Sequence, residues 1–287
     1  MTRSRKVLLA FSVVAVIALA AACSGQRILN GLVTDEGYKV RKDMAYGSDV
    51  RQKMDIYIPD RPATDGCTIL FLYGGRWEGG DKALYKFVGQ ALSSKGCVTA
   101  IADYRVYPKV KYPAFVQDSA AAFVWLHTHV AEFGGHADKL FIAGHSAGAY
   151  NAAMVAVHPR YLSEAGGQRG WIRGVIGISG PYDFLPFTDK DIIDIFSPEK
   201  GPATQPITYA GAGMPPMLLV HGENDREVYP KNTRNFAAKL KAAGSPVETI
   251  IYPDAPHEAI VLSLLNGFRG KIPLLEDIST FVHATSK

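Results

Sequence analysis

The chain has 287 residues, 47% of them apolar, enough for one large hydrophobic core. Its formal charge of +4 is concentrated at the start, where Arg3, Arg5 and Lys6 precede the first acidic residue, Asp35. Without residues 1–22, 28 Lys and Arg face 27 Asp and Glu, a balance that gives no reason to expect nucleic acid or a polybasic membrane patch as a partner.

Residues 1–6, MTRSRK, and the apolar run over 7–22, broken only by Ser12, have the form of a secretory signal peptide. The run is short of the roughly 20 apolar residues of a membrane span. It ends in LAAAC, which resembles the lipobox of bacterial lipoproteins, although Leu19 stands four residues before Cys23 instead of three. That resemblance implies a mature chain lipidated at Cys23, tethered by residues 23–37 and exported to the periplasmic or cell-surface side of a membrane. The alternative is an ordinary cleaved signal with a cysteine nearby by chance. No repeat, low-complexity tract or internal linker follows, so residues 38–287 are expected to form one domain.

Along that domain VRQKMDIYIP (50–59) alternates in period two. CTILFLY (67–73), CVTAIADY (97–104), LFIAG (140–144), WIRGVIGIS (171–179), MLLVHG (217–222) and VETIIYP (247–253) are short, nearly continuous apolar runs. Such runs suit strands buried on both faces. Helical patterns separate them, at 83–96, 114–135, 147–162 and 232–244, several ending in glycine. The alternation predicts an α/β fold, a mostly parallel sheet with helices on both faces. Cys67 and Cys97 open two of the strands; if these are parallel neighbours, both thiols lie at one sheet edge, either bridged or as two buried free thiols. The Pro- and aromatic-rich connection over about 180–216 is expected to be a short cap. In it, Phe184, Phe187, Phe196 and Tyr209 either line an acyl pocket or form the cap's own core.

The pentapeptide GHSAG, 144–148, is a weak signal alone, since Gly-x-Ser-x-Gly arises by chance about once in seven chains of this composition. Its context is stronger: Ser146 follows the strand LFIA and opens an Ala-rich helix, the strand–turn–helix setting of a nucleophile elbow. A serine hydroxyl needs a base, and the base needs an orienting acid. In this architecture they follow in the order acid, then His, and Asp225 past one strand and His257 in a loop past the next meet that order. Backbone N–H groups of Ala147 and of the loop YGGRW, at Gly75 and Arg76, are expected to form the oxyanion hole. Asp183 reads as a turn or cap residue, Asp118 as a tie between a helix and the site region, Asp103 and Arg105 as structural, and His145 and His221 as packing around the site. His127 and His129, two residues apart, make a poor metal pair. No metal or organic cofactor is expected.

The segments YGGRWEGGDK, ADYRVYPKVKYPAFVQD, GGHADKLFIAGHSAGAYNA, PPMLLVHGENDREV and YPDAPH, spread in order over about 45–260, resemble α/β-hydrolase esterases. The resemblance is to the branch carrying HGGGW–GDK, DYRL–P–P–D and GHSAG, which includes carboxylesterases, acetyl xylan/feruloyl esterases and arylformamidases. It implies Ser146 as nucleophile, Asp225 and His257 as its relay partners, and Gly75, Arg76 and Ala147 as oxyanion donors. Tyr73 departs from the usual His, and can brace the loop only from a different distance. Arg76 either reaches an anionic or sugar substrate or is a solvated loop residue. The expected activity is that of an exported serine esterase acting on small or short-acyl esters. An arylformamidase-type amide hydrolase uses the same parts, and an idle hydrolase fold serving as a surface binding lipoprotein is the reading from another class.

Overall fold

The computed structural model describes residues 30–63 and 66–286; the signal segment and Cys23 lie outside them. Eight strands form one sheet: β1 (Tyr38–Ala45), β2 (Lys53–Pro59), β3 (Thr68–Leu72), β4 (Val98–Ala102), β5 (Leu140–His145), β6 (Gly174–Ile178), β7 (Met217–Gly222) and β8 (Val247–Tyr252). Their order is β1-β2-β4-β3-β5-β6-β7-β8. β1 and β2 run antiparallel to their neighbours, and β3 through β8 pair with one another in parallel. Every residue of β3 to β7 is buried, whichever face it points to, so both sides of the sheet must be covered. The covering helices are α1 (Lys86–Ser93), α2 (Ala114–His129), α3 (Ala147–Val157), α5 (Lys231–Ala242) and α7 (Leu274–Ser286), while α4 (Lys190–Ile195) and α6 (His257–Leu262) are short. This is the mostly parallel α/β sheet expected from the sequence.

Two elements escape the sequence reading. β1, YKVRKDMA, carries four charged side chains and mostly exposed residues, because as an edge strand it has only one neighbour; its register shifts between Arg41 and Met44. α7 closes the chain by burying Leu274, Leu275, Ile278, Phe281 and Val282, an amphipathic spacing lost among the Pro and Gly that precede it. Residues 30–37, expected as the end of a tether, lie against the domain. Val33 is buried, Asn30 Nδ2 donates to Ala83 O, and Asp35 pairs with Lys86.

β3 and β4 are parallel neighbours, with Thr68 opposite Val98. Cys67 and Cys97 accordingly sit side by side at the amino edge of the sheet and are disulfide-bonded, closing a loop with a sequence separation of 30. The opposite, carboxyl edge is where open parallel sheets place their sites.

Candidate active site

Ser146 lies at that carboxyl edge, in the sharp turn between β5 and α3, with φ 54° and ψ −122°. The turn is possible only because its flanks are glycine. A Cβ on Gly144 would stand 2.3 Å from Gly148 C, and one on Gly148 would stand 2.0 Å from Leu72 O. Ser146 N donates to Ile178 O at 2.8 Å, tying the turn to β6. The Ser146 side chain makes no capping hydrogen bond to α3, which leaves its Oγ for chemistry. Ala147 opens that helix, where the first N–H groups have no carbonyl one turn back.

Asp225 follows β7 and is 1% exposed. Its Oδ1 accepts from Glu227 N at 3.0 Å and Val228 N at 2.9 Å. Its Oδ2 lies 2.6 Å from His257 Nδ1 and 3.2 Å from His221 Nε2. Burial alone would raise the carboxyl, but hydrogen bonds from His221 and His257 outweigh it and hold Asp225 well below the usual carboxylate range. His257 opens α6 and does not sit in a loop as expected, so the short helix fixes its backbone. Burial disfavours its imidazolium, but the Asp225 hydrogen bond and charge, with Glu227 and Glu258 adding theirs, raise His257 above the ordinary histidine value. Glu227 Oε2 is 4.0 Å from His257 Nε2.

His221, expected only to pack, is a second clamp on the acid. Its Nε2 faces both Val228 O at 2.7 Å and the Asp225 carboxylate, and its Nδ1 meets Thr233 Oγ1 at 2.8 Å. Nε2 faces two acceptors, so it carries the proton, and Nδ1 accepts from the threonine. His145 lies tilted to the His257 ring at 4.9 Å between centroids, and burial pushes it down to about 3, so it stays neutral beside His257.

The loop after β3 lies directly over the serine: a Cβ on Gly74 would stand 2.9 Å from Ser146 Cβ. Tyr73 braces this loop through its far end. Its hydroxyl donates to Asp103 Oδ1 at 2.6 Å and accepts from Arg51 Nη2, which also reaches Gly80 O at 2.9 Å. Tyr104 Oη donates to Tyr73 O, and Lys82 N to Asp103 Oδ1. Asp103 is therefore an anchor of the loop. Asp118, 1% exposed, holds Arg105 through its backbone N–H and guanidinium and accepts from Gln52 Nε2. Asp183 accepts from Asn235 Nδ2 at 2.7 Å, while the hydrogen bond of His257 Nδ1 goes to Asp225.

A cavity of about 440 Å3 opens above Ser146 and Ala147, within the range of small-molecule sites. Apolar residues, Trp77, Phe184, Phe187 and Ile192, line it together with Glu227, Tyr229 and Lys231. The cap aromatics divide between the two expected roles. Phe184 and Phe187 line the cavity and pack on Phe196. Phe196 is fully buried among Trp77, Tyr112 and Tyr150. Tyr209 packs on His158 instead. His127 and His129 stack on different tryptophans, Trp171 and Trp125. Cys23 lies outside the described residues.

A family profile described as BD-FAE matches residues 54–240, nearly two thirds of the chain. Among similar proteins, the probable isoprenylcysteine alpha-carbonyl methylesterase ICMEL1 of Arabidopsis thaliana is 29% identical over 85% of this chain, and Esterase LipC of Mycobacterium tuberculosis is 28% identical over 83%. The chain spans only 56% and 64% of the length of these two relatives. A solved structure, the truncated form of a carbohydrate esterase from gut microbiota, shares the fold with a TM-score of 0.75 at 20% identity, covering 88% of this chain and 99% of that one. With the profile spanning β2 to α5 and the fold shared along most of its length, the chain belongs to the BD-FAE family of α/β-hydrolases.

Proposed function

We propose that this chain is an exported serine hydrolase that cleaves small or short-acyl carboxylic esters through an acyl-enzyme. The observation that carries this reading is the free Ser146 at a glycine-flanked elbow, at the floor of a cavity that also borders the His257–Asp225 pair through Glu227. The relatives' names, methylesterase and esterase, support it.

His257 Nε2 takes the Ser146 proton as Oγ attacks the ester carbonyl. The resulting oxyanion is held by N–H groups of Ala147 and of the loop at Gly75 and Arg76. Collapse of the adduct breaks the bond to the alcohol, which leaves with the proton from His257. Water, deprotonated by the same imidazole, then releases the acid and restores Ser146. Asp225 keeps the proton on Nδ1 and offsets the imidazolium charge. The mixed lining supports an apolar acyl group against Trp77 and Phe184 and a polar leaving group near Glu227 and Lys231. Export is supported by the Cys67–Cys97 disulfide, a bond that persists in oxidising compartments; anchoring at Cys23 is supported by the LAAAC segment.

The test is covalent labelling by a fluorophosphonate probe, followed by turnover of p-nitrophenyl acyl esters and of N-formylkynurenine. Labelling at Ser146 and turnover that falls with acyl length are expected. An unlabelled protein would mean an idle scaffold, and preference for the formamide would mean an amide hydrolase.

The active imidazole is the neutral one, so kcat/KM should fall as pH drops through the His257 pKa. That pKa is raised, so the midpoint of the acid limb is expected above 6.5. Asp225, held far lower, stays ionised throughout. A pH–rate profile with its midpoint below 6.5 would contradict the electrostatics of Asp225, Glu227 and Glu258 around this ring.

A further inference from the structure

Gly75, Arg76 and Trp77 all have positive φ, at 135°, 54° and 60°. Glycine enters this region freely, but Arg and Trp stay there only when their surroundings hold them. On the inner side Trp77 is held well: it is 3% exposed, its Nε1 donates to Asn151 Oδ1 at 3.0 Å, and its ring packs on Phe115, Tyr150 and Phe196. On the outer side Arg76 lines the cavity and is held by two carboxylates. Its Nη2 donates to Asp189 Oδ2 at 2.9 Å, 113 residues away, and its Nε to Glu78 Oε2 at 3.3 Å.

Asp189 is itself fixed. Its Oδ1 caps α4 by accepting from Asp191 N at 2.9 Å and Ile192 N at 3.2 Å, which leaves Oδ2 for the guanidinium. Arg76, Asp189 and Ile192 line the same cavity as Ser146 and Ala147. The guanidinium is half exposed, in keeping with a solvated loop arginine, but it is paired with two carboxylates instead of standing as a vacant anion receptor.

We propose that the Arg76–Asp189 pair is a strap that ties the cap helix α4 to the oxyanion loop. It holds the loop in its left-handed conformation, with the Arg76 N–H aligned beside that of Ala147. The Arg76 side chain and Asp189 are positioning groups; neither touches the reacting carbonyl. The strap rests on the reading of Ser146 as nucleophile and of the 74–76 loop as its oxyanion cradle.

Three variants test it, with kcat and KM measured on p-nitrophenyl acetate at low salt and again in 1 M NaCl. Asp189→Asn keeps the helix cap, because Asn caps as well as Asp, but loses the charge. Its kcat should fall about three- to five-fold at low salt with KM within about two-fold, the scale of a half-exposed ion pair. Arg76→Ala keeps the backbone strain without the tie, and should lose about five-fold in kcat or more. Arg76→Gly removes the tie and the strain together, and should lose less kcat than Arg76→Ala. Salt at 1 M, where the screening length is about 3 Å, should lower the parent's kcat about three-fold and leave Asp189→Asn unchanged.

Unchanged kcat in Asp189→Asn and Arg76→Ala would overturn the strap, as would an Arg76→Gly variant as impaired as Arg76→Ala. So would losses confined to KM for anionic esters, which would make Arg76 a substrate receptor. An inactive parent protein would end the esterase reading itself, whereas an active parent with indifferent variants ends only the strap.

Discussion

Replacing Ser146 by Ala is expected to lower kcat/KM for p-nitrophenyl acetate by about 10^4- to 10^6-fold, the range seen when the nucleophile of a relay is removed. The fold should not notice. Ser146 already holds a left-handed backbone at φ 54°, and Ala at that position is strained neither more nor less. Its side chain makes no capping hydrogen bond, so none is lost, and its backbone bond to Ile178 O is kept. Stability should therefore stay within about 0.5 kcal/mol of the parent, as for substitutions that break no packing or hydrogen bond. The measurement is turnover of the purified variant beside its thermal melt. Near-parental turnover in a folded variant would remove Ser146 from the chemistry, whatever the geometry of its elbow. The residual rate is informative as well. Whatever remains above the uncatalysed rate belongs to the Ala147 and loop N–H groups and to the cavity, which the substitution leaves in place.

The parts of this site legible in the sequence are those encoded by local pattern. Continuous apolar runs announce strands buried on both faces, as β3 to β7 are. Glycines at 144 and 148 announce a turn with no room for side chains, which the contacts with Leu72 O and between 144 and 148 explain. What local pattern does not encode is pairing across the fold. Tyr73 finds Asp103 because β3 and β4 lie side by side, and Arg51 because β2 pairs on the other side of β4, at sequence separations of 30 and 22. The Arg76–Asp189 pair spans 113 residues and depends on where the cap folds back. His221 sits within β7, and nothing in MLLVHG says that its ring turns toward the acid four residues on. The charged edge strand β1 escapes for another reason: a strand with one neighbour and a solvated surface needs no apolar run, so its sequence looks like a loop.

Asp225→Asn carries the second large expectation, a fall in kcat of about 10^4-fold with the fold retained, as when a relay acid is made neutral. The direction follows from which atoms surround the carboxylate. Oδ1 accepts two backbone N–H groups, from Glu227 and Val228. An amide placed here must therefore present its oxygen to them, because its NH2 would meet two donors. That orientation is forced, and it turns the NH2 toward His257 Nδ1, 2.6 Å from the present Oδ2. Facing a donor, Nδ1 must become the acceptor, and the imidazole proton moves to Nε2. In the proposed mechanism Nε2 has to take the Ser146 proton, and it would already hold one. His221 offers no escape, since its Nε2–H keeps Val228 O as an acceptor and can tolerate the loss of the carboxylate. The raised pKa of His257 should also fall back, because the hydrogen bond and charge of Asp225 are what lift it against burial. Turnover and the His257 titration, followed by NMR in the parent and the variant, check both halves. A variant that loses activity while its imidazole still titrates above 6.5 would show that Asp225 orients His257 without setting its proton.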